Sequence, residues 1–170
     1  MTDDPNGPGA FSHVDQRGAV RMVDVSQKQS THRRAIARCW VTLAPAALRH
    51  LEDDREAQRV LGDARVVGLM AAKQTPALIP LCHPIMVDAL TLNFALSDRG
   101  VEIEAGATAF ERTGLEMEAL TACAIAALSI VNEFRKSDSR PTVEGLTLWE
   151  KSGGRSGHFR RADLSPPSNG

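Results

Sequence analysis

Residues 20–25 (Val-Arg-Met-Val-Asp-Val) alternate apolar and polar positions, which predicts a strand with Arg21 and Asp24 on its outer face. Residues 34–43, rich in Ile, Trp, Val and Thr, predict a second strand. Pro45 then opens a short helix over residues 46–52, because its fixed φ suits a first helical turn. Residues 59–73 place Val60, Leu61, Ala64, Val67, Gly68 and Ala71 at helical spacing. Residues 88–96 and 101–109 are β-rich runs joined by Ser97-Asp98-Arg99-Gly100, the pattern of a hairpin with a short turn. Residues 114–137 predict the longest helix. A final strand is expected over residues 142–150, followed by the loop 152–157. Strands on both sides of two helices indicate an α+β sandwich, with the helices packed on one face of a largely antiparallel sheet.

Composition adds limits. A chain of 170 residues has room for one domain of ordinary size, expected over residues 11–162 between flexible ends at 1–10 and 163–170. The formal charge of −1 gives no footprint for nucleic acid. The apolar run 115–131 carries two glutamates at one end and is at or below spanning length, so it reads as a buried core helix, with no membrane partner. No apolar leader occupies the N-terminus, and Cys39, Cys82 and Cys123 are widely spaced, as in a cytoplasmic protein with reduced thiols. No metal site is expected: His13, His32, His50 and His158 lack ligand spacing, and Cys82-His83 is half a site. No cofactor is expected either.

Candidate chemistry concentrates in two places. Leu81, Cys82 and His83 lie between Pro80 and Pro84, and proline restricts both itself and the residue before it. That setting holds an imidazole against a ligand better than it builds a core; Cys82 reads as a small buried apolar group. Glu116 and Glu118 open the long helix. Two positions apart on a helix point about 200° apart, so one carboxylate must face inward or toward a partner. Burial of a carboxylate raises its pKa and suits acid–base work. The two places are expected to form one site. Farther along the same helix, Asn132, Arg135 and Lys136 share a face. The loop Gly153-Gly154-Arg155-Ser156-Gly157 offers amide groups and one arginine to a phosphate, without Walker spacing.

Taken together, Met22-Val23-Asp24-Val25-Ser26, Ala64-Arg65 to Gly68, Ala71-Ala72-Lys73, Leu78 to Pro84, Thr113 to Thr121 and Lys151 to Gly157 resemble the MoaC family, the cyclic pyranopterin monophosphate synthases of molybdenum cofactor biosynthesis. The resemblance covers residues 13–161, and its two most specific motifs are Leu-Ile-Pro-Leu-Cys-His-Pro and Thr-Gly-Leu-Glu-Met-Glu-Ala-Leu-Thr. It implies a ferredoxin-like subunit and a hexamer built as a trimer of dimers, with the site at a subunit interface. It also implies a GTP-derived substrate, the 3′,8-cyclised dihydro-GTP, converted to cyclic pyranopterin monophosphate with loss of pyrophosphate. Substrate contacts carry over to Leu81, Cys82, His83, Met117 and Glu118, with Lys73 as a phosphate-side cation and Arg155 as the basic residue of the loop. The catalytic set carries over to His83, Glu116, Asn132 and Arg135.

The last two depart from the family pattern. Where the family reads Tyr-Asp-Met-Cys-Lys, this chain reads Val131-Asn132-Glu133-Phe134-Arg135, and where it has a lysine upstream of the Ala-Arg segment, this chain has Ala57. An amide exchanges no proton near neutral pH, and a guanidinium stays protonated. Glu133 and Lys136 keep the acid-to-lysine spacing one residue later, and a π-bulge would be needed to bring them round. Three readings stay open: an enzyme of this pathway with altered proton transfer, a catalytically silent homologue that binds a pterin-like nucleotide or joins an active paralogue, and an enzyme for a different phosphorylated nucleotide.

Overall fold

The structure is a computed structural model that describes residues 18–136, 141–154 and 157–162. Five strands and four helices follow in the order β1 (Thr31–Thr42), α1 (Pro45–His50), α2 (Asp54–Lys73), α3 (Thr75–Leu78), β2 (Ala89–Ser97), β3 (Gly100–Glu111), α4 (Glu116–Phe134), β4 (Thr142–Ser152) and β5 (Phe159–Arg160). The strands form one antiparallel sheet ordered β2-β3-β1-β4-β5. Without the short β5 edge, this is the split β-α-β arrangement of a ferredoxin-like α+β sandwich.

Strand periodicity places the core. Ala35, Ala37, Cys39 and Val41 of β1 are fully buried and stand opposite Ala107, Ala105, Ile103 and Val101 of β3. Most of these side chains are small, so α4 lies close to the sheet and adds Ala119, Ala122, Cys123, Ala126, Ala127 and Ile130. The Cys123 thiol donates to Cys39 Sγ at 3.2 Å inside this layer. Helix α2 packs beside α4 with Gly68 at the contact, where a Cβ would lie 2.6 Å from Leu92 Cδ1 and 2.8 Å from the carbonyl oxygen of Ala122. On the opposite face of the sheet, Arg38 Nε donates to Glu104 Oε2 at 2.8 Å, and its guanidinium lies 4.2 Å from the centre of the Trp149 ring. A bulge in β4 is accommodated by Gly145, at φ 61°, directly beneath the Trp40 ring.

Several expected elements differ in detail. Residues 20–25 form no strand; only Val20 makes an isolated bridge, because a tight turn follows in which Ser26 N donates to Asp24 Oδ1. Helix α2 begins at Asp54, five residues before the expected start, because the Asp53 carboxylate caps the amides of Arg55 and Glu56. At 20 residues it exceeds the 19 of α4, which was expected to be the longest helix. The hairpin forms as expected, with Asp98 and Arg99 as its two-residue turn. The sequence reading missed α3 and β5. Helix α4 is long and apolar enough to cross a membrane, yet it packs between α2 and the sheet as a core helix. The ends predicted to be flexible, 1–10 and 163–170, lie outside the described residues.

Candidate functional site

Proline and backbone hydrogen bonds shape the first wall of the site. Thr75 is fully buried, its hydroxyl donating to the Ala72 carbonyl at 2.9 Å, and Pro76 starts the short α3. Ile79, extended at φ −119° and ψ 98° as Pro80 requires, donates its amide to Thr75 O at 2.8 Å. Cys82 N then donates to Ile79 O at 3.0 Å, closing a turn with Pro80 at its second position. The turn projects Leu81, Cys82 and His83 toward the start of α4.

The second wall is that helix start. Leu115 occupies the N-cap position without a side-chain cap, and Glu116 and Glu118 lie in the first turn. Glu118 points inward and is 3% exposed. Glu116 turns the other way and accepts from Lys151 Nζ of β4 at 3.1 Å. The divergence follows from the helical period, and each carboxylate has found one of the two environments expected for the pair. Gly114 makes room for this arrangement: a Cβ there would collide with the Glu116 carboxylate.

Both walls, with Val23, Val25 and Lys28 as a third, enclose a cleft of about 350 Å³ lined also by Thr113 and Met117. The structure thus brings the two sequence-predicted places together. Burial raises the Glu118 carboxyl to a pKa of about 7, with the neighbouring Glu116 charge adding to the shift and its own backbone amide opposing it. A carboxyl poised there can both give and take a proton near neutrality. Burial, then the nearby Glu118 charge, also raises the Cys82 thiol, which fits an apolar wall better than a nucleophile. His83 is half-buried, and none of the described residues hydrogen-bonds to its imidazole. The charge of His83 contributes weakly to holding the Asp24 carboxyl below its ordinary value, after the Ser26 hydrogen bonds and Arg21. A small crevice lined by Arg33, Lys151 and Gly153 shares Gly114 and Glu116 with the cleft, so the glycine loop begins beside it.

Other predicted residues lie elsewhere. Lys73 is exposed at the end of α2 and does not line the cleft, because the Gln74 turn and α3 separate it from the Leu81–His83 wall. Asn132 and Arg135 stand 16 or more residues beyond Glu116, about 24 Å along the helix axis, and cannot share the cleft within one chain. There Arg135 Nε donates to Asn132 Oδ1 at 2.9 Å. Glu133 accepts from Arg59 Nη2 at 2.6 Å, and Glu56 pairs with the same guanidinium at 3.0 Å. Helix α4 runs as regular α-helix to Phe134, so no π-bulge returns Glu133 and Lys136 to the face of Asn132. Ala57 is partly buried against the core at the same corner. Arg155 lies outside the described residues. Among the described residues no cluster of His, Cys, Asp and Glu side chains has metal-binding geometry.

Lys28 and Lys151 went unassigned in the sequence. The signal for Lys28 was available in the scarcity of lysine, four in the whole chain, and in its position just after the Met22–Ser26 motif. Lys151 could be found only from the strand register that sets β4 beside β1 and α4.

A ferredoxin-like fold thus brings paired carboxylates and an imidazole to one cleft, and comparison with known proteins shows the family. Residues 22–154 match the MoaC family, and the chain belongs to that family. The cyclic pyranopterin monophosphate synthase of Thermomicrobium roseum is 46% identical over 156 residues, covering 90% of this chain and 94% of the relative. Cyclic pyranopterin monophosphate synthase 1 of Mycobacterium tuberculosis is 47% identical over 156 residues, covering 90% and 91%. Synthase 3 of the same organism is 44% identical over 168 residues, covering 95% and 94%.

Proposed function

We propose that this protein is a cyclic pyranopterin monophosphate synthase of molybdenum cofactor biosynthesis, converting 3′,8-cyclised dihydro-GTP to the cyclic monophosphate with release of pyrophosphate. The observation that carries the reading is the convergence of Leu81-Cys82-His83 and Glu116-Met117-Glu118 on one cleft. The reaction closes a cyclic phosphate and rearranges rings, so protons must be moved near neutral pH. Glu118, with its pKa near 7, and the imidazole of His83, which none of the described residues hydrogen-bonds, are the groups for that work. Glu116, fixed by Lys151, orients the mouth of the cleft, and Leu81, Cys82 and Met117 supply its apolar contacts. Arg155 is assigned as a basic contact from the loop.

The α4 axis sets Asn132 and Arg135 about 24 Å from this chemistry, so we assign them to the cleft of a second copy. The protein then works as a homo-oligomer, a hexamer of three dimers, with each site completed across an interface. Exposed Val66 and Met70 on α2, Leu78 on α3, Met86, and Leu128 on α4 supply apolar surface for such contacts.

Ala57, Asn132 and Arg135 support a second reading, a silent homologue that binds the nucleotide and assembles with an active paralogue. Numbered synthases in one organism, as among the relatives, make such pairing available. One experiment separates the two. Purified protein is incubated with the cyclised intermediate, and pyrophosphate is followed beside the variant Ala57→Lys/Asn132→Asp/Arg135→Lys. Turnover by the parent supports the synthase. Turnover by the triple variant alone identifies a silent member.

A further inference from the structure

Helix α4 ends beside a second cavity of about 240 Å³, lined by His50, Leu51, Glu56, Arg59, Glu133 and Phe134. Its walls adjoin the substituted positions, since Glu56 precedes Ala57 and Glu133 follows Asn132. This is the corner assigned above to the cleft of a second copy. It has lost the family's acid–base groups: Ala57 has none, the Asn132 amide exchanges no proton near neutrality, and the Arg135 guanidinium stays protonated. Glu56 and Glu133 do not replace them, because both are tied to Arg59 Nη2, at 3.0 and 2.6 Å. Among the lining residues this leaves His50, and an imidazole is the side chain that exchanges a proton most readily near neutrality.

The backbone that carries His50 is anchored. It is the last residue of α1, where Ala47 and Leu51 enter the core and Leu51 N donates to Leu48 O at 2.9 Å. The imidazole itself is exposed and makes no hydrogen bond or ion pair with the described residues. The charged groups sharing its cavity are Glu56 and Arg59 of α2 and Glu133 of α4, one cation held between two anions. Resting on the reading of the protein as a synthase whose sites are completed between copies, we propose that His50 is the base this corner presents to the second copy's cleft, in place of the family's aspartate. As the cyclic phosphate closes, a substrate hydroxyl oxygen bonds to phosphorus and the bond to the departing pyrophosphate breaks. The hydroxyl proton passes to a ring nitrogen of His50, which returns it to water.

The test uses the full chain and the cyclised intermediate, with pyrophosphate release followed for the parent, His50→Gln, His50→Ala, and the Ala57→Lys/Asn132→Asp/Arg135→Lys variant with and without His50→Gln. His50→Gln should lower kcat by about 10²–10³-fold and move KM by less than about threefold, because a proton acceptor acts in the transition state. Free imidazole added to His50→Ala should raise its rate at least about tenfold, since the cavity has room for the missing base. In the triple variant, where the aspartate is restored, His50→Gln should lower kcat by less than about threefold. A merely structural role for His50 would give equal losses in both backgrounds. Equal losses, a His50→Gln rate within about threefold of the parent, or no response of His50→Ala to imidazole overturns this inference and leaves the synthase reading standing. A parent that turns nothing over removes both.

Discussion

Replacing Glu118 by glutamine keeps the shape of the side chain and removes its titration. The parent carboxyl is 3% exposed and is raised from 4.5 to about 7, chiefly by burial. At about 1.4 kcal/mol per pH unit, that difference corresponds to about 3 kcal/mol, an upper figure for a group that can relax. The folded state holds the proton more tightly than the unfolded chain between pH 4.5 and 7. Unfolding therefore releases a proton in that window, and the parent loses stability as pH rises through it, levelling off above about 7. Glu118→Gln has no such loss. Urea unfolding of both proteins at fixed concentration from pH 5 to 8 should show the variant gaining on the parent by about 1–3 kcal/mol, most of it between pH 5 and 7. All other titrating groups are common to both proteins, so the difference isolates this carboxyl. A difference that stays flat with pH would falsify the claim that Glu118 is strained by burial, and with it the source of its proton-transfer capacity.

Gly68→Ala gains helix propensity of up to about 1 kcal/mol but sets a Cβ 2.8 Å from the Ala122 carbonyl oxygen, which cannot swing away. Overpacking should win by about 1–3 kcal/mol, read as a lower urea midpoint with an unchanged slope. Gly114→Ala drives a methyl group into the Glu116 carboxylate, so the Glu116–Lys151 pair opens; the variant should stay folded by circular dichroism while its turnover falls at least about tenfold. Glu133→Gln removes only an exposed partner of Arg59, and should leave both the melting temperature and pyrophosphate release unchanged within error.

The sequence made the fold legible where periodicity was strong. β1, the β2–β3 hairpin, α4 and β4 all carry patterns that packing reinforces rather than overrides. It misled at residues 20–25, where the alternation is real but no neighbouring strand takes up the backbone, and Asp24 and Ser26 bend the chain into a turn instead. The Asp53 cap could have placed the start of α2, whereas α3 was hidden because one short turn after Thr75-Pro76 has no period to read. For the site, helical geometry sufficed to split Glu116 from Glu118, and proline chemistry sufficed to fix His83. Lys151 was invisible because its place depends on a strand register, whereas the scarcity of lysine already singled out Lys28. Lys73 does not line the cleft of its own chain, because proximity in sequence to Leu81 does not survive the intervening turn of α3.

The most direct measurement is pyrophosphate release from 3′,8-cyclised dihydro-GTP by the parent protein, compared with His83→Ala. The parent should turn the intermediate over above the uncatalysed rate, and His83→Ala should lose about 10²–10⁴-fold, the range for a positioned acid–base group. Undiminished turnover by His83→Ala, or none by the parent, would contradict the assignment of this cleft as a working synthase site.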